Sequence, residues 1–249
     1  MFDTGLVSVT FREKSVQEIV KSVSECGMKY IEWGSDIHAP YHDSERLQTI
    51  VELQKQYGIS CCSYGTYFRL GKDSLEELPE YIRAAKVLGT NVLRLWAGKK
   101  SSNQWTQEEK EVFYEECRKA AKIAEESDVI FCLECHRNTL TEEGAAALEL
   151  MKAVNSPAFK MYWQPNPDES VENNVAYARM IAEYTVNIHA FHIKGYTPFP
   201  LEEGIDEWLQ YLPAFNGDHL ILLEFMPDKN PDRLEIQANS LRKIINMLN

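Results

Sequence analysis

Three glycines spaced 31 residues apart, Gly27, Gly58 and Gly89, set the rhythm of this chain. Each follows an amphipathic stretch and precedes a β-rich one. A helix commonly ends at such a place, in the left-handed conformation that glycine adopts without strain. The helix starts are marked as well. Ser15-x-x-Glu18, Ser74-x-x-Glu77 and Thr106-x-x-Glu109 have the form of capping boxes, in which a hydroxyl and a carboxylate satisfy orphan amides. The pattern predicts strands near 5–11, 29–33, 59–64, 91–96, 129–134, 158–163, 187–193 and 219–225. Helices are predicted near 15–26, 44–57, 74–88, 106–127, 142–153, 170–184, 204–213 and 230–247. Strict alternation calls for a parallel sheet with helical crossovers. Eight units in 249 residues favour a single (β/α)8 TIM barrel domain over 1–249 rather than an open doubly wound sheet. The first βα turn also lacks a G-x-G-x-x-G, which disfavours a dinucleotide-binding fold.

Charge narrows the partners. Twenty-six basic residues against 38 acidic ones leave a net charge of −12. Such a surface repels phosphate backbones and anionic lipid heads, so neither a nucleic acid nor a membrane is the expected partner. No apolar stretch reaches the length of a membrane span, and the N-terminus lacks the basic and apolar segments of a signal peptide. A cytoplasmic protein is expected. The six cysteines do not look like a secreted disulfide framework in a chain this long. Cys132 and Cys135 form a C-x-x-C, but within a strand-like run rather than a turn, which favours buried reduced thiols over a redox or zinc motif.

Glu134, Gln164, His192 and Glu224 each stand at or near the end of a short apolar run, at intervals of 30, 28 and 32 residues. In a barrel of this class the active site lies at the C-terminal ends of the strands. Strand parity turns Cys132 inward with Glu134, Tyr162 with Gln164, Ala190 with His192 and Leu222 with Glu224. His189 has the opposite parity to His192 and is expected to pack beneath a helix. Two glutamates, a histidine and an amide oxygen make a cage for Mn2+, Zn2+, Co2+ or Mg2+. The competing reading pairs the glutamates with Arg94, Lys194 or Arg137 in ordinary ion pairs, because a lone buried carboxylate is costly. Around this cluster, His38 and His136 are candidates for binding hydroxyls or shuttling protons, or are structural. Arg94 either contacts substrate or neutralises Glu134. Lys194, Trp96 and Trp163 are further candidates for contact with substrate.

The segments Glu134-Cys-His136-Arg-Asn-Thr139-Leu-Thr141, Tyr162-Trp-Gln164-Pro-Asn166, Phe191-His192-Ile-Lys194 and Leu223-Glu224-Phe225 resemble the strand-end motifs of the xylose isomerase-like barrel superfamily. Val-Ser-Val-Thr-Phe-Arg12 and Ile31-Glu-Trp33-Gly-Ser-Asp-Ile-His38 fit its first two units. The resemblance implies one divalent metal held at Glu134, Gln164, His192 and Glu224. It implies a sugar or sugar phosphate isomerase or epimerase of carbohydrate metabolism. Glu134 and Glu224 would move protons next to a carbonyl through an enediolate. A polyol or inosose dehydratase-type lyase would use the same site. Family members also self-associate, so a homo-oligomer is implied. Two positions depart from the pattern. Gln164 replaces the usual Asp and Pro167 replaces a His, which removes a negative charge from the cage and weakens the metal. A non-catalytic sugar-binding barrel without metal is the rival from another class.

Overall fold

Apolar runs flanked by capped, amphipathic stretches can bury both kinds of surface only by layering strands inside helices. In the computed structural model, which describes residues 2–248, they do so as a closed barrel. Residues 1 and 249, the ends of the predicted domain, lie outside the described residues. The strands are β1 (Phe2–Val7), β2 (Tyr30–Gly34), β3 (Ser60–Leu70), β4 (Val92–Ala97), β5 (Ile130–Glu134), β6 (Phe159–Trp163), β7 (Thr185–Ala190) and β10 (His219–Leu223), all parallel. The sheet closes in the order β1-β10-β7-β6-β5-β4-β3-β2, with Phe2 opposite His219. Helices α1 (Val16–Glu25), α2 (Ser44–Tyr57), α3 (Leu78–Leu88), α4 (Gln107–Glu126), α5 (Gly144–Val154), α6 (Val171–Ile181), α7 (Ile205–Tyr211) and α8 (Leu234–Leu248) alternate with them. The predicted (β/α)8 TIM barrel is what forms. Among the described residues no helix is long and apolar enough to cross a membrane.

The local signals act much as expected. Ser15 with Glu18 and Thr106 with Glu109 make complete capping boxes at α1 and α4. Ser74 instead accepts from the Glu76 amide and caps a short 3-10 turn, so α3 starts later, at Leu78. Gly27, Gly58 and Gly89 all have positive φ. Most of the core lies between barrel and helices, for example Ile19, Val20 and Val23 of α1 and Leu47 and Ile50 of α2. Val7, Val9 and Leu222 form a separate small cluster, with the partly buried Leu220 and Cys62 against it.

Two departures shape the mouth. β3 continues to Leu70, well past its predicted end, and pairs Arg69 with Trp96 of β4 above a register shift. These strands therefore rise as a wall on one side. On the other side, β7 stops at Ala190. The predicted continuation to 193 belongs to a two-stranded antiparallel hairpin, β8 (His192–Lys194) and β9 (Thr197–Phe199). The chain leaves the barrel at Phe191, so strand parity does not carry through to His192.

Candidate metal and catalytic centre at the barrel mouth

Alternation along the strands sends Glu32 of β2, Arg94 of β4, Glu134 of β5 and His189 of β7 into the barrel, where Glu224 joins them just past β10. All five are nearly or fully buried. Arg94 is the hub of one side. Its Nε donates to Glu32 Oε1 at 2.8 Å and its Nη1 donates to Glu134 Oε2. Trp96 Nε1 donates to the same Glu134 oxygen. Glu32 Oε2 accepts from Ser63 Oγ at 2.7 Å. The layer needs space that a side chain on β3 would fill: a Cβ at Gly65 would lie 2.7 Å from Glu32 Oε1 and 2.9 Å from Arg94 Nη2.

His189 is the hub of the other side. Its Nδ1 lies 3.6 Å from Glu134 Oε1, 3.4 Å from Glu224 Oε2 and 3.2 Å from Gln164 Oε1. Its Nε2 lies 3.6 Å from Glu32 Oε2. Donor atoms of Glu134, His189 and Glu224 fall within 4.8 Å of one another, a grouping able to hold a metal ion. His189 Nε2 and Glu224 Oε2 are buried without a hydrogen-bond partner, which marks this group as incomplete on protein atoms alone.

The electrostatics agree with that incompleteness. Burial alone would raise the pKa of Glu32, but Arg94, His189 and the Ser63 hydroxyl outweigh it and hold the carboxyl down to about 2. Burial likewise works against ionised Glu134, yet Arg94 and His189 keep it well below the carboxylate range. Burial would discharge His189, but Glu224 and Glu32 hold it protonated far above the usual imidazole range. Three carboxylates face one guanidinium and one imidazolium, which leaves a negative charge over. A divalent cation replacing the imidazolium proton would balance the group. The donor set, two carboxylate oxygens, one imidazole nitrogen and the Gln164 amide oxygen, suits Zn2+, Mn2+ or Co2+. The residues therefore fit a divalent ion.

The structure redistributes the residues expected to act. Glu134, Gln164 and Glu224 come together as anticipated. His192 does not join them. It is buried outside the barrel, against Gly204 and 3.4 Å from Glu207. His189 takes the expected place because β7 ends before His192; far from lying under a helix, it points into the barrel. Arg94 is buried at 2% exposure, with its guanidinium committed to Glu32 and Glu134. Trp163 lies on the outer face of β6, packed on Trp208, Tyr211 and Phe215. His38 is occupied within the scaffold, by Ser8 Oγ at 3.1 Å and the Lys14 carbonyl at 3.2 Å. Lys194 sits on the hairpin, its Nζ over Phe199, lining a separate groove with His192 and Glu207. His136 and Trp96 remain at the mouth, stacked with ring centroids 4.8 Å apart, and Arg69 covers the other side of Trp96 at 3.8 Å.

Next to the cluster opens a cavity of about 240 Å3, lined by His136, Arg137, Gln164, Phe191, Tyr196 and Phe225. Phe225 follows Glu224 directly and has φ of +54°, a strained conformation of the kind that concentrates at functional sites. Sequence reasoning passed over two members of the centre, Glu32 and His189. Both left a signal. Glu32 is a lone carboxylate between Ile31 and Trp33, and Asn187 and His189 share one parity among Val186, Ile188 and Ala190. Polar residues alternating with apolar ones in a barrel strand mark its inward face.

Comparison with known proteins agrees with this architecture. The sequence matches the family model of the xylose isomerase-like TIM barrel over residues 20–244. A 3-dehydroshikimate dehydratase of Bacillus anthracis is 25% identical over 166 residues, which cover 63% of this chain and 59% of that protein. The crystal structure of the probable 3-DHS dehydratase AsbF involved in petrobactin synthesis, also from Bacillus anthracis, superposes with a TM-score of 0.82 at 20% identity, covering 97% of this chain and 99% of that one. D-Psicose 3-epimerase with D-tagatose from Clostridium cellulolyticum H10 gives 0.66 at 13% identity, covering 99% and 98%.

Proposed function

The chain belongs to the xylose isomerase-like TIM barrel family, and on that footing we propose that it is a divalent-metal-dependent lyase that removes water from a small hydroxylated carbonyl compound. The observation that carries this reading is the convergence of Glu134, His189, Glu224 and Gln164 beside the mouth cavity, one positive charge short of balance. A cation held by these four residues would supply Lewis-acid polarisation of a substrate carbonyl.

The chain's own groups then divide the work. Glu134 is a poor base, because Arg94 and Trp96 both donate to its Oε2 and hold the carboxylate ionised. Its part is to hold the ion. His136 is better placed to move protons. Its Nδ1 lies 2.7 Å from the Arg137 carbonyl, which can only accept, so the neutral tautomer of this ring has its hydrogen on Nδ1 and its lone pair on Nε2. Stacking on Trp96 fixes the ring at the cavity wall. His136 takes the proton from the carbon next to the carbonyl. The C–O bond of the β-hydroxyl breaks as the C=C bond forms, and the proton is returned to the departing oxygen, so that water leaves without any redox change. Arg137 at the rim, ion-paired with Asp168, offers positive charge to an acidic substrate. The 3-dehydroshikimate dehydratase likeness supports this class. The six free cysteines, five of them buried, suit a reducing compartment such as the cytoplasm.

A second reading is favoured by the two carboxylates, Glu134 and Glu224, which lie 3.6 and 3.4 Å from His189 Nδ1. This is the pairing an isomerase or epimerase of ketoses would use to move a proton between faces. One experiment separates the two. Protein loaded with Mn2+ or Zn2+ is incubated in D2O with 3-dehydroshikimate and with a panel of ketoses and ketose phosphates. The lyase yields a product lighter by one water, whereas the epimerase yields deuterated sugar of unchanged composition. If neither product forms, the reading of this mouth as an active site loses its support. Replacement of His136 by Asn should lower kcat by about 10²–10⁴ while leaving ion affinity unchanged.

A further inference from the structure

Glu32 lies on the far side of His189 from every metal-holding donor, and the proposed chemistry gives it no part. It is nonetheless fully buried on β2, and both of its oxygens are fixed, one by Arg94 Nε at 2.8 Å and one by Ser63 Oγ at 2.7 Å. That second oxygen lies 3.6 Å from His189 Nε2, and Nε2 has no hydrogen-bond partner. The opposite ring nitrogen, Nδ1, faces Glu134 Oε1, Glu224 Oε2 and Gln164 Oε1. The two edges of one imidazole thus meet two different sets of acceptors.

We infer that Glu32 is the positioning residue of the metal centre: its carboxylate holds the hydrogen of His189 on Nε2, so that Nδ1 presents a lone pair to the cation. This rests on the metal reading given above. A neutral imidazole carries one hydrogen, and a ring nitrogen carrying it cannot bind metal. A carboxylate cannot donate, so facing Nε2 it selects the tautomer with hydrogen there. Carboxylates behind metal-binding histidines fix tautomer and ring orientation in this way. Arg94 joins the two roles. It spans from Glu32 to Glu134 Oε2, leaving Glu134 Oε1 as the oxygen turned toward Nδ1. One guanidinium therefore aims the acid that sets the histidine and the acid that binds beside it.

The test uses Glu32→Gln in the full chain, with zinc as the probe. Glutamine keeps an oxygen for Arg94, but its amide can donate toward Nε2 and favours the wrong tautomer. Zinc affinity by calorimetry should fall about 10–100-fold. In the zinc-loaded wild type, 15N-histidine NMR should find the His189 hydrogen on Nε2, with its proton resonance far downfield, and Glu32→Gln should move that resonance upfield. A merely structural role for Glu32 would lower thermal stability without moving this resonance. Equal zinc affinity and an unchanged resonance in the variant would overturn the inference while leaving the metal reading intact. Wild-type protein that binds no zinc, manganese or cobalt would overturn the metal reading itself, and this inference with it. Should Glu32→Gln not fold, the zinc-loaded wild type decides the matter: zinc on Nδ1 with hydrogen on Nε2 supports the inference, and zinc on Nε2 refutes it.

Discussion

His189 and His192 differ by three positions and by everything that matters chemically. One is in the barrel among carboxylates; the other is outside it beside Glu207. Substituting His189→Asn should abolish binding of Zn2+ or Mn2+ in calorimetry, and His192→Asn should leave it within about threefold. The reverse result would restore His192 to the centre. The protonation of His189 also makes a pH prediction. Its pKa is raised in the ion-free protein, so a cation must displace a proton. Ion affinity should climb with pH, by up to about tenfold per unit while His189 remains protonated, and calorimetry in buffers of different ionisation enthalpy should show a proton released. Stability of the ion-free protein should run the other way for this group. The contribution is complete below the ordinary imidazole pKa and is lost as pH rises through the raised one. Glu32 works at the acid end, where its contribution fades as pH falls from the usual carboxylate pKa through about 2. Denaturation midpoints across pH would reveal both limbs. Glu134 and Glu224 were legible from the sequence because a carboxylate ending an apolar run has few bland explanations. Parity counted back from His192 misplaces His189, because the side of His192 depends on where β7 ends, and strand ends are set by pairing partners that a single sequence does not display.

Elements show the same division. The helices were readable wherever a cap names a boundary, as at Ser15, Thr106, Gly58 and Gly89. Strand length was less readable. β3 runs to Leu70 because β4 pairs with it above a register shift, an interaction between distant segments. That extension brings Arg69 over Trp96 and so builds the wall on which His136 stacks. The glycine in the middle of β3 has its own consequence. Gly65→Ala would push a methyl group into Glu32 and Arg94. We expect a loss of about 1–3 kcal/mol in chemical denaturation, the usual range for overpacking, together with weaker ion binding. A neutral effect on both would mean that the ion-pair layer has slack that the close contacts do not suggest.

At the scale of the molecule, the buried ion pairs tie strands that lie far apart in sequence. Arg94→Ala would leave Glu32 and Glu134 buried without their shared cation, and the expected cost is about 3–5 kcal/mol, measurable as a shift in urea midpoint. Part of that loss should be recovered when Mn2+ is added, since the ion would neutralise one of the two, Glu134; absence of any recovery would count against a shared charge balance. The closed barrel was foreseeable from eight repeats of one rhythm, whereas the charge layer inside it was not, since it is assembled from single residues on five strands or strand ends. The way those residues divide along the chain matters for how the protein could be cut or rearranged. Every donor proposed for the cation comes from the second half, on or beside β5, β6, β7 and β10, while Glu32 and Arg94 come from the first half and balance each other. The first half thus supplies an ion pair whose guanidinium also reaches across to Glu134, and the second a set of ligands awaiting alignment. A circular permutant opened between α4 and β5 keeps each set contiguous, and only the seam where the halves meet decides whether the ligands are aimed.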